Sequence, residues 1–294
     1  MTFIQSLIDG LGKGSTYALL AIGVSLVFGV MHLVNFAHGE LLTVGAYAIF
    51  VLRHHNVPWP VAVAVAICLA IIASVLIEFV AFRRVRGASP FTMLLTSFAV
   101  EILSHTIFRS IYGQNRRSYP TPKIAFQVWN IGDLKVSVWS LISIGVAIVV
   151  FSGTAFLLRS TMLGLSIRAS AEDFDAARLM GVRANRVISS AFALAGLLAG
   201  IAGALSWLKA GVAEPAMGSA PLLKAVVAAL IGGMGSLPGA VVGGLSLGVA
   251  EVLFSSLLPS GMTRLSDTFV FAIIAALFVV RPQGLFNVAS AERV

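Results

Sequence analysis

The chain has 294 residues, 58% of them apolar and 11% charged, with a mean hydropathy of +0.97. A single water-soluble core could not hide that much apolar surface, so the composition excludes a soluble domain and makes lipid part of the solvent. The net charge of +8 sits in short loops between apolar blocks rather than on a surface stripe, which argues for cytoplasmic loops of a membrane protein and against a nucleic-acid platform.

The apolar blocks approach the roughly 20 residues that carry a helix across about 30 Å of hydrocarbon. Residues 141–158 and 187–208 are apolar on every face, whereas barrel strands would alternate. The predicted fold class is therefore all-α: one polytopic membrane domain over residues 1–294, with about eight to ten transmembrane or half-membrane helices. Cys68 stands alone in an apolar run and reads as core filler, with no intrachain disulfide available. The N-terminus lacks a basic start and a cleavage site, so the first helix is expected to be retained.

In chain order, residues 3–12 form a short amphipathic segment containing Asp9, followed by a first span over 17–34. Asn35, Phe36, Ala37, His38, Gly39 and Glu40 interrupt it, and the next apolar piece, 41–52, is about half a span. A helix over 61–82 follows Pro58 and Pro60, then a basic turn of Arg83, Arg84 and Arg86, then a helix over 91–111. Residues 112–137 form the longest polar connection, and a full span covers 138–158. The segment 159–186 carries five arginines and is polar enough to leave the membrane. Three apolar regions remain: 187–208, 222–258 and 265–280. The second is broken by the run Gly232, Gly233, Met234, Gly235, Ser236, Leu237, Pro238, Gly239.

Loops must alternate sides. Arg83, Arg84 and Arg86 share a side with the 159–186 segment, giving eight arginines against Arg116, Arg117, Lys123 and Lys135 opposite. That bias places the first set in the cytoplasm and leaves the side of the N-terminus open.

Within the charged segment, Ser170 followed by Asp173 reads as a helix start and Gly181 as its terminator, with Phe174, Ala177 and Arg178 on one face. This is a short amphipathic helix suited to a partner's groove, or else an ordinary polar loop with one turn of helix. Asp175-Ala176-Ala177-Arg178-Leu179-Met180-Gly181 resembles the Glu-Ala-Ala-x-x-x-Gly core with which importer permeases of the ATP-binding-cassette class contact their ATPases, with Asp in place of Glu. The runs 35–40, 45–47, 168–173 and 232–239 resemble, in order, permeases of the branched-chain amino acid type, so the likeness covers nearly the whole chain. The Ile-x-Leu-Pro that completes the general contact motif is absent after Gly181.

That resemblance implies a non-catalytic permease of a bacterial inner membrane, multi-pass, moving amino acids delivered by an extracytoplasmic solute-binding protein. It implies two ATPase subunits and a second permease subunit, paralogous or identical. It also implies that ATP is used by those partners, with no cofactor or metal bound by this chain. The expected coupling residues are Arg168, Glu172, Asp173, Asp175, Ala176, Ala177, Arg178 and Gly181.

The two glycine-bearing breaks carry a physical argument of their own. Non-helical backbone at membrane depth is tolerated only where protein or water satisfies it, so such breaks line pathways. Asn35, Phe36, His38, Gly39 and Glu40 at the first break, and Gly232, Gly233, Gly235 and Ser236 at the second, are the candidate substrate-pathway residues. The alternative is that either break is a tight turn, with His38 and Glu40 capping the first.

Gly235, Gly239, Gly243, Gly244 and Gly248, like Gly196 and Gly200, form strips suited to close helix packing. Glu78, Glu101, Lys224, Glu251 and Asp267 lie in or beside apolar segments, where a charge must be paired or hydrated. They could form a proton relay or bind helices together, and an ion- or proton-coupled carrier of a small polar solute is the alternative function. The Gly10–Thr16 run fails as a phosphate loop, since Leu7 stands where its first glycine belongs and Gly14 where a hydroxyl residue should follow Lys13.

Overall fold

The computed structural model describes residues 3–131 and 134–258, together with residues 268, 271, 272 and 279. The helices are α1 (Phe3–Met31), α2 (His38–His54), α3 (Trp59–Ile77), α4 (Arg83–Val85), α5 (Pro90–Tyr112) and α6 (Val138–Ser160), followed by α7 (Met162–Glu172), α8 (Phe174–Leu179), α9 (Ala184–Ala210), α10 (Ser219–Gly232) and α11 (Leu237–Leu257). A π-helical turn, Glu78–Phe82, joins α3 to α4, so Trp59–Val85 is one continuous span. Among the described residues six helices are long and apolar enough to cross a membrane: α1, the α3–α4 span, α5, α6, α9 and α11. The polytopic all-α class expected from composition is the class observed. What little sheet exists pairs β1 (Arg117–Ser118) with β4 (Val212–Ala213) and β2 (Val128–Ile131) with β3 (Leu134–Ser137), all within connections.

Helix α1 is the axis of the bundle: 83% of its most apolar stretch is buried, against 22% for the α3–α4 span and 6% for α5. Small residues explain why. Gly10, Gly14 and Ala18, one turn apart, lie backbone to backbone against Val249, Gly248, Leu245 and Gly244 of α11, so a Cβ on Gly14 or Gly248 would strike the other helix's main chain. Gly196 and Gly200 of α9 approach Ala70 and Ile67 of α3 in the same way. In lipid, where apolar contact gains nothing over acyl chains, such close approach is what holds helices together. The glycine strips expected from sequence serve this packing, except that Gly235 lies in the turn before α11, at φ +86°, and is not on the strip.

Three sequence readings change. Residues 3–12 are not a separate segment but the start of α1, which runs unbroken to Met31 and stops where His32 takes a left-handed φ of 53°. Cys68 is not core filler; it is exposed on α3, on the face turned away from the bundle. The predicted last helix over 265–280, and with it Asp267, falls outside the continuously described residues.

The helices define two ends. Ser140, at the start of α6 and beside the 113–137 connection, donates to Asp9 of α1 (2.7 Å), so α1 begins at this loop end. Gly29 faces Ala171 of α7, so α1 finishes at the opposite, arginine-rich end. Against that frame α2 and α10 are half-helices of 17 and 14 residues, each starting inside the bundle. The His38 ring rests on Gly23, eight residues short of the end of α1, which puts the start of α2 about 12 Å inside at 1.5 Å per residue. From there α2 runs to the loop end, where Tyr119 reaches Asn56 (3.5 Å). Helix α10 runs the other way: the chain enters from β4 at the loop end, starts α10 beside Gly39, and finishes where Gly235 N–H donates to Ser25 Oγ (3.0 Å).

Candidate functional site

The first break is built by local chemistry. Asn35 Oδ1 accepts from Ala37 N–H (3.0 Å) and the Asn35 carbonyl from His38 N–H (3.2 Å), an Asx turn that redirects the chain into α2. Phe36 stacks on Phe98 of α5, with centroids 4.3 Å apart. Gly39 meets Gly218, the residue before α10; a Cβ on Gly218 would overlap the Gly39 carbonyl, so the two half-helix N-termini touch through bare backbone.

At that junction a polar cluster gathers. Glu40, in the first turn of α2, is 1% exposed, and His105 Nε2 stands 2.8 Å from its Oε1. Thr43, one turn on, faces the same carboxylate. Ser219 Oγ, the first residue of α10, reaches Glu101 Oε1 (3.3 Å) and His105 Nε2 (3.2 Å). Glu101 and His105 are four residues apart on one face of α5, and Glu101 lies eleven residues from either end of that helix, at mid-depth. Ligand atoms of Glu40, Glu101 and His105 lie within 4.8 Å of one another, close enough to share one cation.

The second break lies elsewhere. Gly233 and Gly235 take φ of 87° and 86°, Gly232 packs on Gly239, and Ser236 Oγ caps α11 by accepting from Gly239 N–H (3.2 Å), which together make a tight turn between α10 and α11. It touches Ser25, whereas His38 touches Gly23; two residues apart on a helix are opposite faces. The structure does not bring the two predicted breaks together. The junction's actual partner is the connection before α10, and sequence reading missed Gly218, Ser219 and His105. The Glu101-x-x-x-His105 spacing, two ionisable groups on one face of an apolar helix, was the available signal.

Two other intramembrane acids are surrounded by cations. Glu78 accepts from Arg83 (2.8 Å), Arg86 (2.7 Å) and Ser189 (2.8 Å). Glu251 accepts from Lys13 (2.7 Å), Lys224 (2.6 Å) and Tyr17 (2.8 Å), joining α11 to α10 and α1. Each ties helices together, and losing one partner would leave a buried charge.

At the arginine end, Thr161 caps α7, and Asp173 caps α8 by accepting from Asp175 and Ala176 N–H (3.0 Å each). The predicted cap, Ser170, is instead buried in the last turn of α7; Asp173 adopts the extended backbone that a cap requires. Gly181, at φ +87°, ends α8 with Val182 N–H bonded to the Ala177 carbonyl (3.1 Å) and Gly181 N–H to that of Arg178 (3.0 Å), a Schellman ending. Ala177 is buried, while Arg168, Glu172, Asp175, Ala176 and Arg178 are exposed. Beyond them Leu179 and Met180 are 89% and 85% exposed, and Met162, Met180, Val182, Arg183, Arg186 and Val187 line a groove of about 580 Å³.

Among the described residues, six spans, two half-helices meeting at mid-depth and a helical elbow projecting at one end make a polytopic membrane protein. Residues 6–278 match the family model described as branched-chain amino acid transport system / permease component. The chain is 33% identical to the high-affinity branched-chain amino acid transport system permease protein LivH of Salmonella typhimurium, over 99% of this chain and 98% of that one. It is 30% identical, with the same coverage, to BraD, the corresponding permease protein of Pseudomonas aeruginosa. PsaBC from Streptococcus pneumoniae, solved in complex with a Fab, superposes with a TM-score of 0.50 over 95% of this chain and 91% of that one; at 12% identity this shows the fold alone.

The chain belongs to the branched-chain amino acid transport permease family. It is a multi-pass inner-membrane protein, the permease subunit of an ATP-binding-cassette importer, and the ion-coupled carrier considered from sequence is set aside.

Proposed function

We propose that this permease translocates branched-chain amino acids released by an extracytoplasmic binding protein, and that two ATPase subunits drive it by gripping α7 and α8 at the arginine end. The observation carrying this reading is the elbow at Asp173–Gly181. A six-residue helix fixed by a side-chain cap and a glycine ending offers Leu179 and Met180 to water, where large apolar groups have no reason to be unless another protein covers them. The arginine bias places that end in the cytoplasm, where ATP is available. ATP shifts the permease between outward and inward states only if the ATPases hold the elbow differently in each. On this reading Arg168, Glu172, Asp175, Ala176 and Arg178 form the contact, and the chain itself holds neither ATP nor a metal.

A second permease subunit has its place on α5. This span is the least buried of the six, and its mean hydropathy of 1.5 is also the lowest, against 2.9 for the α3–α4 span. A lipid-facing helix should be the most apolar. Beside exposed apolar residues such as Leu95, Ile102 and Ile107, α5 also exposes Thr92, Thr106, Arg109 and Ser110, which suits a face toward another subunit.

The test is Gly181→Val in the complete importer reconstituted in liposomes. A β-branched residue is strained at φ +87°, so the end of α8 should unwind while the spans stay inserted. Expected is ATP hydrolysis without leucine uptake; normal coupled uptake would refute the coupling role.

A further inference from the structure

We propose that Glu40, Glu101, His105 and Ser219 form a mid-membrane acceptor site for the ammonium group of the transported amino acid. The inference rests on the amino-acid reading above and adds where, and by which groups, the permease itself holds its substrate.

Charge arithmetic separates this cluster from the other intramembrane acids. Glu78 is one carboxylate between two guanidiniums, and Glu251 is one between two ammonium groups. At the junction the ratio inverts: two carboxylates share one imidazole and one hydroxyl. Two carboxylates held this close repel unless one takes up a proton or a cation stands between them, and a protonated carboxyl would give way to a bound cation. The N-termini of α2 and α10 supply part of that, on the order of half an elementary charge each, and a bound cation would supply the rest.

Glu40 shows the same shortage in its hydrogen bonding. It is 1% exposed, yet neither carboxylate oxygen completes a well-formed hydrogen bond, although His105 and Thr43 stand beside it. A buried carboxylate left so is costly, and a donor with several N–H groups would relieve it. An ammonium offers three, matching acceptors on three separate elements: Glu40 of α2, Glu101 of α5 and Ser219 of α10.

Position fits as well. A cavity of about 230 Å³ lined by His105, Arg109, Gln114, Glu214, Pro215 and Ala216 opens at the loop end and reaches the cluster at His105. The site lies where α2 and α10 both begin, so any movement of one half-helix against the other changes the spacing of its acceptors. A zwitterion crossing at mid-depth must shed water from its ammonium, and a fixed anionic acceptor at that depth offsets the cost.

The experiment uses the complete importer, with its ATPases and binding protein, in liposomes, and follows L-leucine. Losing one charge-assisted hydrogen bond should slow uptake by about 10- to 100-fold in E101Q and in E40Q, with partial recovery in E101D. S256A, at an exposed position near the end of α11, should transport at the wild-type rate. Importer trapped with vanadate should retain leucine in the wild type and lose it in E101Q, a readout that a purely packing role would leave untouched. Wild-type rates in both E40Q and E101Q would overturn the site while leaving the amino-acid reading intact. A divalent metal that co-purifies with the wild-type permease and is lost in E101Q would overturn it in favour of a metal site. A wild-type importer that does not move leucine would overturn both.

Discussion

The mid-depth junction and the arginine end have opposite faults. At the junction polar groups are buried where apolar ones would cost least; at the arginine end the large apolar side chains of Leu179 and Met180 are exposed. In a molecule otherwise packed by the rules of its solvent, each reversal needs a reason. The reasons differ in kind. The junction is fixed from within, by backbone contact at Gly39 and Gly218 and by side chains from three helices. The elbow is capped at its two ends and rests on the bundle through Phe174 and Ala177, while among the described residues its tip, Leu179 and Met180, is left uncovered. Variants at the first region should therefore damage both folding and transport, and variants at the second transport alone.

The largest effect is expected where the half-helices touch. Any side chain at Gly218 would overlap the Gly39 carbonyl, and in a closely packed interior the backbones must then separate. Gly218→Val should abolish accumulation of folded permease in membranes, measured as the detergent-soluble monodisperse fraction. Folded, active G218V would show that the junction is looser than its contacts imply.

Next comes Glu251, which ties α11 to α10 and α1. Glu251→Ala leaves Lys13 and Lys224 without it, and breaking such a buried pair costs about 3–5 kcal/mol. A large fall in unfolding midpoint is expected. Removing the two more buried charges, as in Lys224→Met with Glu251→Met, should recover part of it, because Lys13, 32% exposed, can be hydrated in their absence. If the double variant is no better than E251A, Lys224 is not the partner that matters.

How much of this was legible in advance follows from which interactions are local. Long apolar runs located the spans, most with ends within a few residues, because hydropathy acts on each helix by itself; the start of α1 was misplaced because the polar residues Asp9 and Lys13 interrupt its apolar pattern. The Asp173 cap and the Gly181 ending were partly legible for the same reason; the error at Ser170 came from choosing between two capping side chains three residues apart without knowing where the backbone extends. The first break was visible in its Asn35–Glu40 residues, but the stretch it meets, around Gly218, was not singled out, whereas Gly232–Gly239 was. Both stretches contain glycine and interrupt apolar sequence, and only tertiary placement shows that Gly218 meets Gly39 while Gly232 meets Gly239. The ion pairs were out of reach likewise: Glu251 and Lys13 are 238 residues apart, and nothing local joins them.

The smallest effect on stability, and the sharpest test of the comparison, belongs to the elbow tip. Leu179 and Met180 are already solvated in the permease, so replacing both with Asp removes almost no packing and should change stability by less than about 0.5 kcal/mol each. Their loss matters only if an ATPase buries them. Desolvating two carboxylates in an apolar pocket is costly, so the permease carrying Leu179→Asp and Met180→Asp should unfold at the wild-type temperature yet fail to co-purify with its ATPase subunits. A variant that keeps its ATPases would place the contact elsewhere on the arginine end, in the groove beside Arg183 and Arg186. One that unfolds early would mean the tip packs within the chain, and the contrast between the two regions would fail.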